Sequence, residues 1–481
     1  MAGKLEIERK YELPDGFAMP DLTGVGGVAA VGEPDDQRLD AVYYDTAELH
    51  LARGRVTLRR RTGGNDAGWH LKRPAGGERS ELQVPANKTQ RVPPRAIADQ
   101  VRALTRGEAL APVARIRTHR VERALRAADG RTLALLADDT VSTESLRAGG
   151  GAREWHELEV ELVDGDTKAL ERLDAALRKA GARPSKSASK LQQALGPDYP
   201  ITPEAPGSAL AAYLAAQRDA LIEQDPQVRD GDAEAVHKMR VATRRLRSTL
   251  RSFAPMLTGD LDALHEEVKW VTGLLGAVRD TDVMGERLDH LVHAEPAELV
   301  LGPVAARITS LLAAQAAEAR KALMAGLDSP RYTALLNEVD ALVARTGPAP
   351  RKRLMRLARK AQRRADGRLD AATSDAEMHE SRKAYKRARY AAELVAPVAG
   401  KPATALADRV TDLQDALGTH QDAMVTGELL KAYGITAYGA GENAFTYGLL
   451  HARIDEQGRR ALEDLPRVRR RARKAARALY G

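Results

Sequence analysis

Cysteine is absent from this chain of 481 residues. The chain therefore has no disulfide, no thiolate nucleophile and no cysteine-ligated zinc site, which fits a reducing compartment. Apolar runs are also short, since none approaches the roughly 20 residues that a membrane helix needs. The first residues, Met-Ala-Gly-Lys-Leu-Glu, reach charge at once. We therefore expect a cytoplasmic protein, with neither export nor membrane insertion.

Aromatic residues are scarce, with three Phe and three Trp. Single-stranded nucleic acids are bound on aromatic stacking platforms, so this scarcity argues against a nucleic-acid partner, although contacts to a duplex backbone need no aromatic ring. Basic residues are abundant and clustered: nine Lys/Arg lie between Arg351 and Arg368, and seven between Arg467 and Arg477. The C-terminal half should therefore present basic faces to a polyanion.

The N-terminal 200 residues have the alternation of β-strands. In the first strand, residues 5–13, Leu5, Ile7, Tyr11 and Leu13 share one face, whereas the other face is charged. Further strands are predicted at 42–46, 55–61, 69–73, 79–84, 115–126, 131–141 and 155–162, with helices at 94–110 and 166–181. One such strand is typical of an ordinary solvated surface. Several together favour an antiparallel barrel with a packed outside and a charged lumen.

The charges of these strands suit a phosphate site. Acids alternate in the first strand and again at Glu157, Glu159 and Glu161, and carboxylate oxygens are the ligands that Mg²⁺ and Mn²⁺ prefer. Arginines and lysines at one parity of the intervening strands would hold phosphate oxygens. No nucleophile is paired with a base, so metal-activated water attacking a terminal phosphorus is the simplest reaction.

Five blocks of this half, in order, resemble the CYTH superfamily of triphosphate tunnel metalloenzymes. They are Glu6-Ile7-Glu8-Arg9-Lys10, Tyr43-Tyr44-Asp45-Thr46, Leu58-Arg59-Arg60-Arg61, Leu71-Lys72-Arg73-Pro74 and Glu157-Leu158-Glu159-Val160-Glu161. The resemblance implies an eight-stranded antiparallel tunnel that binds a triphosphate with a divalent metal, Mg²⁺ or Mn²⁺. It implies an acidic, metal-binding side of Glu6, Glu8, Glu157, Glu159 and Glu161, and phosphate ligands at Lys10, Arg59, Arg61, Lys72 and Arg117.

Three further assignments by resemblance each have a competitor in the sequence. The acid of the 131–141 strand is assigned to Asp138, with Asp139 facing the opposite way. Arg115 and Arg117 share a parity, and Arg117 is the one assigned to phosphate. The final lysine of the family is assigned to Lys186, and Lys190 lies one helical turn further on.

A stretch rich in Pro and Gly, 196–207, separates residues 1–195 from a helical half, 208–481. On a helix, one stripe is formed by His237, Arg240, Arg244, Arg247 and Arg251. A solvated face is the common interpretation of a basic stripe. Here, however, the pattern recurs 142 residues later, from His379 to Arg389, and the same offset maps Asp280 onto Asp422. We therefore expect two helical repeats, at about 208–345 and 350–481, that share one anion-binding surface.

The paired His-x-x-Arg helices, with Leu275-Gly276 and Asp280, resemble the CHAD family, which is found behind CYTH domains. The resemblance implies binding of inorganic polyphosphate along a basic channel. The residues assigned to it are His237, Arg240, Arg244, Arg247, Arg251, Arg353, Arg356, Lys360, His379, Arg382, Lys383, Lys386 and Arg389. Each histidine can also be a metal ligand or a buried hydrogen-bonded residue.

The sequence thus predicts an α+β protein of two domains, a β-tunnel followed by a duplicated helical bundle. The leading hypothesis is a metal-dependent triphosphatase acting on inorganic triphosphate or short polyphosphate, with a helical half that binds polyphosphate. Adenylate cyclase or thiamine triphosphatase activity in the same tunnel is the alternative enzyme. A non-catalytic polyphosphate-binding scaffold is the alternative of another class. The sequence leaves the oligomeric state open.

Overall fold

The computed structural model describes residues 4–75, 78–87, 90–187, 189–200 and 206–481, and only the backbone of 4–6, 75, 78 and 79. The chain divides into two compact units, residues 1–203 and 204–481. The division falls within the Pro/Gly-rich stretch predicted at 196–207, of which residues 201–205 lie outside the described part. Among the described residues, no helix is both long and apolar enough to cross a bilayer.

The first unit is an antiparallel sheet closed on itself. Its strands are β1 (Lys4–Glu6), β2 (Glu8–Glu12), β3 (Ala30–Val31), β4 (Asp35–Asp45), β5 (Thr57–Thr62), β6 (Gly68–Ala75), β7 (Glu78–Val84), β8 (Ala111–Arg126), β9 (Thr132–Ser145), β10 (Ala152–Leu162) and β11 (Arg183–Pro184). The order is β1-β7-β6-β5-β4-β8-β9-β10-β2-β11, with β3 beside β8. Because β1 and β2 follow each other across Ile7, a single N-terminal segment pairs with β7 at its start and with β10 at its end. This closure gives the predicted eight-stranded tunnel.

The outer face of the closing segment is packed as its alternation predicts. Tyr11 is fully buried with Leu158 and Val160 of the neighbouring strand. They pack against a helix, α3 (Thr167–Lys179), whose apolar stripe is formed by Leu170, Leu173 and Leu177. The helix begins at the predicted cap, since Asp166 accepts a hydrogen bond from the amide of Ala169 at 2.7 Å. Because these residues pack outward, the residues that alternate with them along each strand face the lumen.

The described residues of this unit form three more α-helices: α1 (His50–Arg53), α2 (Arg95–Thr105) and α4 (Lys190–Leu195). The first and third are too short to have a helical period, and the sequence did not predict them. Helix α4 matters for the site because it begins at Lys190. Ser189 caps it by accepting a hydrogen bond from the amide of Gln192.

The second unit is helical in its described residues. Its helices are α5 (Ala209–Asp230), α6 (Ala233–Ser252), α7 (Leu261–His293), α8 (Val304–Leu327), α9 (Pro330–Arg345), α10 (Arg351–Ala371), α11 (Asp375–Ala399), α12 (Lys401–Gly439), α13 (Phe445–Glu463) and α14 (Leu465–Tyr480). Helix α10 begins 142 residues after α5 begins, and α11 begins 142 residues after α6 begins. The other three helices of each half overlap at the same offset, so the sequence repeat corresponds to five helices.

Candidate functional site

Each strand of the tunnel wall turns one of its two faces towards the lumen. Neighbouring strands place Arg120, Asp139 and Glu157 in one register row, and Lys10 is in register with Glu159. Side chains at these positions point the same way because cross-strand partners share a face of the sheet. Of these residues, Lys10, Arg120 and Glu159 line a cavity of about 350 Å³, which is also lined by Glu8, Arg59, Arg61, Lys72, Glu81, Glu122 and Glu161.

Three buried carboxylates and three cations form the centre of the lumen. Lys190 Nζ lies 2.9 Å from Asp139 Oδ2, 2.5 Å from Glu157 Oε1 and 2.9 Å from Glu159 Oε1. Arg120 donates to both oxygens of Asp139, at 2.8 and 2.7 Å, and to Glu159 at 2.7 Å. Lys10 Nζ contacts Glu159 Oε1, also at 2.7 Å. The cluster therefore joins strands β2, β8, β9 and β10 to helix α4.

These contacts fix the charges of the cluster. Burial opposes ionisation of Glu159, but Lys10, Lys190 and Arg120 outweigh it and hold the pKa of this carboxyl well below its usual range. Burial likewise disfavours the charged form of Lys190, yet the three carboxylates raise its pKa. Glu159 and Lys190 are thus both charged at neutral pH, and their contact is an ion pair rather than a neutral hydrogen bond.

The carboxylates of the cluster have the chemistry of a metal site. Asp139, Glu157 and Glu159 each place one oxygen within 4.8 Å of the others, and hard divalent cations prefer such oxygens. However, the ammonium of Lys190 contacts all three residues, so a metal ion at this point replaces Lys190. Glu8 and Glu161, in register with each other, offer two more carboxylates along the same cavity. The acidic wall thus fits a divalent cation.

The opposite wall is basic. Arg59 donates to the hydroxyl of Tyr43 at 3.3 Å, and Lys72 and Arg61 line the same cavity. Burial, together with the charges of Arg59 and Arg120, lowers the pKa of Arg61 to about 9. Arg61 also forms an ion pair with Asp66. Like charges gathered in a partly closed cavity favour an anionic ligand.

Most side chains predicted for the tunnel site share this lumen. The cavity is lined by Glu8, Lys10, Arg59, Arg61, Lys72, Glu159 and Glu161, and Glu157 belongs to the central cluster. Glu6 is in register with Arg79 across β1 and β7, but its side chain lies outside the described part of the structure.

Three residues assigned to the tunnel site do not face the lumen. In each case a residue nearby in the sequence does so instead. Arg117 is on the outer parity of β8, with its side chain 54% exposed and 4.0 Å from Asp40, whereas Arg120 faces the lumen. Asp138 points away from the cluster to His156, at 2.5 Å, and Asp139 faces inward. Lys186 is exposed, and the competing lysine, Lys190, reaches the carboxylates. We therefore correct these three assignments to Arg120, Asp139 and Lys190.

Arg120 and Asp139, which the sequence motifs do not assign to the site, are identified by the register between strands. Arg120 and Asp139 are partners across β8 and β9, and Asp139 and Glu157 across β9 and β10. Had the acidic strand been paired with its neighbours, parity would have selected these residues. Tyr43 lies within the Tyr43-Tyr44-Asp45-Thr46 block, but the sequence contains no signal for its role or for Glu81 and Glu122.

In the helical unit, the two repeats make the same contacts. Arg240 of α6 reaches Asp280 of α7 at 3.1 Å, and Arg382 of α11 lies 3.9 Å from Asp422 of α12. Each arginine lies against a glycine at the equivalent point of the long helix, Gly276 or Gly418. The three residues of each set correspond at the offset of 142. The repeated motif is therefore an arginine that crosses from one helix to the next.

Cations from both repeats meet between α6 and α11. Burial and the charges of Arg244, Arg382 and Arg240 lower the pKa of Lys386 to about 6. Burial also lowers the pKa of Arg244, and Arg240 and Arg389 add to the shift. Within the described residues, no carboxylate lies within 4.0 Å of the charged end of Arg244 or Lys386. Such mutual repulsion favours an anion as the missing counter-charge.

The remaining predicted ladder residues have varied surroundings. Arg389 is engaged by Thr411 and Glu393, at 3.3 and 3.5 Å. Arg353 donates to the carbonyl of Pro255, and Lys383 pairs with Glu380 at 2.7 Å. Further basic side chains that are half-buried or exposed are Arg247, Arg251, Arg356 and Lys360. Only part of the predicted surface therefore lies at the junction of the repeats.

The two histidines of the motif are half-buried. Burial is the main reason that the pKa of His237 and of His379 is lowered, with neighbouring cations adding to it. His379 Nδ1 is buried and has no hydrogen-bond partner among the residues that the structure describes. Both imidazoles are therefore held in their neutral form beside the basic residues.

Comparison with known proteins identifies both units. The CYTH domain matches residues 4–194, and the CHAD domain matches residues 212–431. The uncharacterized proteins Rv2226 and MT2285 of Mycobacterium tuberculosis, from strains H37Rv and CDC 1551, are each 36% identical to this chain, covering 99% of it and 98% of their own length. The chain belongs to the CYTH–CHAD family.

Two solved structures are each similar to a portion of this CYTH–CHAD protein. PptA from Streptomyces chartreusis covers 55% of this chain and 98% of its own, with 23% identity and a TM-score of 0.48. HpAC1 from Hippeastrum, a candidate adenylyl cyclase with a dominant triphosphatase activity, covers 39% of this chain and 93% of its own, with 18% identity and a TM-score of 0.24.

Proposed function

We propose that the CYTH domain is a divalent-metal-dependent triphosphatase that hydrolyses inorganic triphosphate or short polyphosphate. The observation that carries this proposal is the division of one cavity of about 350 Å³ into two walls of opposite charge. The acidic wall suits a metal ion, and the basic wall suits the oxygens of a phosphate chain. Family membership supports the same class of reaction.

Each group of residues has a chemical role in this proposal. Arg59 and Arg61 bind phosphate oxygens as bidentate donors, and Lys72 contributes a point charge. Lys10 and Arg120 stand between the walls and neutralise charge that spreads over the equatorial oxygens of the transferring group. Lys190, already within reach of three carboxylates, holds the acidic wall together until a metal ion binds.

The metal ion would be Mg²⁺ or Mn²⁺, held by carboxylate oxygens of Asp139, Glu157 and Glu159 in place of Lys190, with Glu8 and Glu161 offering further carboxylates along the same cavity. Such an ion supplies Lewis-acid activation of water and neutralises phosphate charge. The protein residues place the terminal phosphorus within the tunnel and exclude competing anions.

A phosphate-release assay with sodium tripolyphosphate and Mg²⁺ or Mn²⁺ tests this activity. We expect release that stops when EDTA is added and resumes with excess metal. Release no higher than that of a Glu6→Ala, Glu8→Ala protein would refute the proposal. Product analysis with ATP and thiamine triphosphate separates hydrolysis from cyclisation and identifies the preferred substrate.

We also propose that the CHAD domain binds inorganic polyphosphate between α6 and α11. Support comes from Arg244 and Lys386, each of which lowers the other's affinity for a proton or has its pKa lowered by neighbouring cations, and neither has a carboxylate within 4.0 Å in the described residues. In this proposal Arg240 and Arg382 are positioned by Asp280 and Asp422, and His237 and His379 lie on the same two helices. The cytoplasm, as the sequence predicts, is the proposed location.

Competition between polyphosphate and duplex DNA at matched salt tests the choice of polyanion. Both ligands lose affinity with salt, so only a comparison at one ionic strength is informative. We expect polyphosphate to displace DNA. The opposite order would indicate a nucleic-acid-binding surface, and tight polyphosphate binding with every triphosphate left intact would indicate a non-catalytic scaffold.

A further inference from the structure

A carboxylate interrupts the basic surface between α6 and α11. Glu393 of α11 accepts a hydrogen bond from Arg245 Nε of α6 at 2.9 Å, and the same oxygen accepts another from the hydroxyl of Tyr213 at 3.2 Å. Its other oxygen lies 3.5 Å from Arg389 Nε, one turn earlier on α11. Two arginines of this surface, one from each repeat, therefore share a carboxylate of the protein itself.

An aromatic ring also holds these two arginines. Tyr390 is buried between them, with its ring centroid 4.9 Å from Cζ of Arg389 and 5.7 Å from Cζ of Arg245. Guanidinium groups at such distances are attracted to the face of the ring. The positions of the two arginines therefore do not depend on Glu393 alone.

The equivalent position of the first repeat carries the opposite charge. At the offset of 142, Arg245 corresponds to Arg387, and Glu393 corresponds to Arg251. The contact between Arg245 and Glu393 crosses from the first repeat to the second. Its counterpart, which crosses in the other direction, consists of two arginines. The two sides of the packing between α6 and α11 thus differ in charge although their helices are repeats.

Arg387 has cations where Arg245 has its carboxylate. Burial and the charges of Arg368, Arg364 and Arg251 lower the pKa of Arg387 to about 10. Glu380 opposes this shift, but it pairs with Arg368 at 3.5 Å. Among the residues that the structure describes, no carboxylate lies within 4.0 Å of the charged end of Arg387 or Arg251. This side therefore lacks the counter-charge that Glu393 supplies on the other.

Both sides adjoin the junction of the repeats. Burial, Arg240 and Arg389 lower the pKa of Arg244, which contributes to the junction. Burial, Arg244 and Arg251 lower the pKa of Arg247. Arg244 is thus close to charges of both sides, and an anion bound at the junction could extend in either direction.

We propose that Glu393 ends the polyphosphate-binding surface on one side, so that a bound chain extends from the junction towards Arg251 and Arg387 and not towards Arg245. The carboxylate of Glu393 occupies the donors that a further phosphate group would use. The arginines of the opposite side have no such competitor, and an anion relieves their repulsion. This direction rests on the proposed binding of polyphosphate by the CHAD domain.

Titration calorimetry of the full chain with long-chain polyphosphate tests the proposal, in EDTA so that the proposed hydrolysis does not consume the ligand. For Glu393→Gln we expect affinity to rise about tenfold, because Arg245 and Arg389 can then bind phosphate. The slope of log affinity against log salt concentration should steepen by about one to two, since each added phosphate contact releases counterions. Glu318→Gln, at an exposed position of α8, makes the same change in net charge and should leave affinity and slope unchanged.

The converse variant is Arg251→Glu, which also decides the question if Glu393→Gln does not fold. It places a carboxylate at the position equivalent to Glu393, so Arg387 gains a competitor for phosphate. We expect affinity to fall about tenfold and the salt slope to become shallower. Lys321→Glu, exposed on α8, is the control with the same change in net charge. Thermal unfolding checks that each variant is folded.

The outcomes separate this inference from the proposed function. Affinity of Glu393→Gln no higher than that of Glu318→Gln would overturn the role of Glu393 while leaving polyphosphate binding intact. Affinity of Arg251→Glu equal to that of Lys321→Glu would overturn the extension towards Arg251. If the wild type does not bind polyphosphate, the proposed function of the CHAD domain is removed and this inference with it.

Discussion

Lys190 Nζ lies 2.5 Å from Glu157 Oε1, so an ammonium group from helix α4 stands where three carboxylates of the tunnel wall meet. A helix of six residues thus supplies the cation that allows this acidic cluster to be buried. Removing one partner of a buried ion pair costs more than the pair contributes, because the remaining charges are left uncompensated. The position of Lys190 therefore links the stability of the tunnel to its capacity for metal.

We expect Lys190→Met to lower the free energy of unfolding of the CYTH domain by about 3–5 kcal/mol in metal-free buffer. Mn²⁺ should restore more stability to this variant than to the wild type, because the ion no longer competes with the ammonium. Thermal unfolding with EDTA and with excess Mn²⁺ measures both effects. The control is Lys186→Met, an exposed lysine one turn away, which should change stability by less than about 0.5 kcal/mol. Equal melting temperatures for both variants would contradict this prediction.

Arg120 and Arg117 provide a matched pair on one strand. Arg120→Gln removes a lumenal guanidinium that bridges Asp139 and Glu159, and we expect phosphate release from tripolyphosphate to fall about 10²–10³-fold, as for a lost transition-state donor. Arg117→Gln removes only an outer contact with Asp40, so its rate should stay close to that of the wild type. Circular dichroism of both variants checks folding. A loss of activity in Arg117→Gln as large as that in Arg120→Gln would contradict the orientation of β8.

This pair also illustrates what the sequence can predict. Alternation within β2 and β10 was sufficient to place Glu8, Lys10 and Glu159 on one face, because the period of a strand is fixed. Register between strands is not visible in a single strand. Arg117 and Arg120 differ in parity, and only pairing with Asp139 shows which of them faces the lumen. The position of Lys190 depends on a helix too short to have a period, so spacing could not choose it over Lys186.

The low pKa of Lys386 leads to a prediction about pH. Burial and the charges of Arg244, Arg382 and Arg240 lower this pKa to about 6 in the free protein. A bound polyanion stabilises the ammonium and therefore raises the pKa of Lys386. At any pH between the pKa of the free protein and that of the complex, binding is accompanied by uptake of a proton. Affinity for polyphosphate should therefore fall as pH rises above about 6, by at most about tenfold per pH unit.

Isothermal titration of polyphosphate in buffers of different ionisation enthalpy measures this proton uptake directly. At pH 7.5 the wild type should take up a substantial fraction of one proton, and Lys386→Met should lose that fraction and bind more weakly. Lys401→Met, at an exposed position at the start of α12, is the control and should keep both properties. Proton uptake of equal size in all three proteins would contradict the assignment to Lys386.

The duplication is visible in the sequence because the His-x-x-Arg motif, a Leu-Gly pair and an Asp recur at one offset, and the structure extends that offset to five helices. What the sequence did not separate is the exposed part of the basic ladder from the part at the junction of the repeats. Arg389 and Lys386 are three residues apart on one helix, yet the first is engaged by Glu393, whereas the second faces the arginines of the other repeat. Such differences arise from the packing between helices. The periodicity of a single helix carries no information about that packing.

The equivalent glycines of the two repeats give a final test of the crossing arginines. A Cβ at Gly418 would lie 2.8 Å from an Arg382 nitrogen, whereas a Cβ at Gly276 would be 3.5 Å from Arg240 Nε. Both residues lie within helices, where alanine is favoured over glycine by about 1 kcal/mol. Gly276→Ala should therefore be neutral or stabilising and should retain polyphosphate affinity. Gly418→Ala should displace the Arg382 side chain from Asp422 and weaken polyphosphate binding, with the melting temperature little changed. Titration calorimetry and thermal unfolding of the two variants provide the comparison, and equal affinities would show that the position of Arg382 does not contribute to binding.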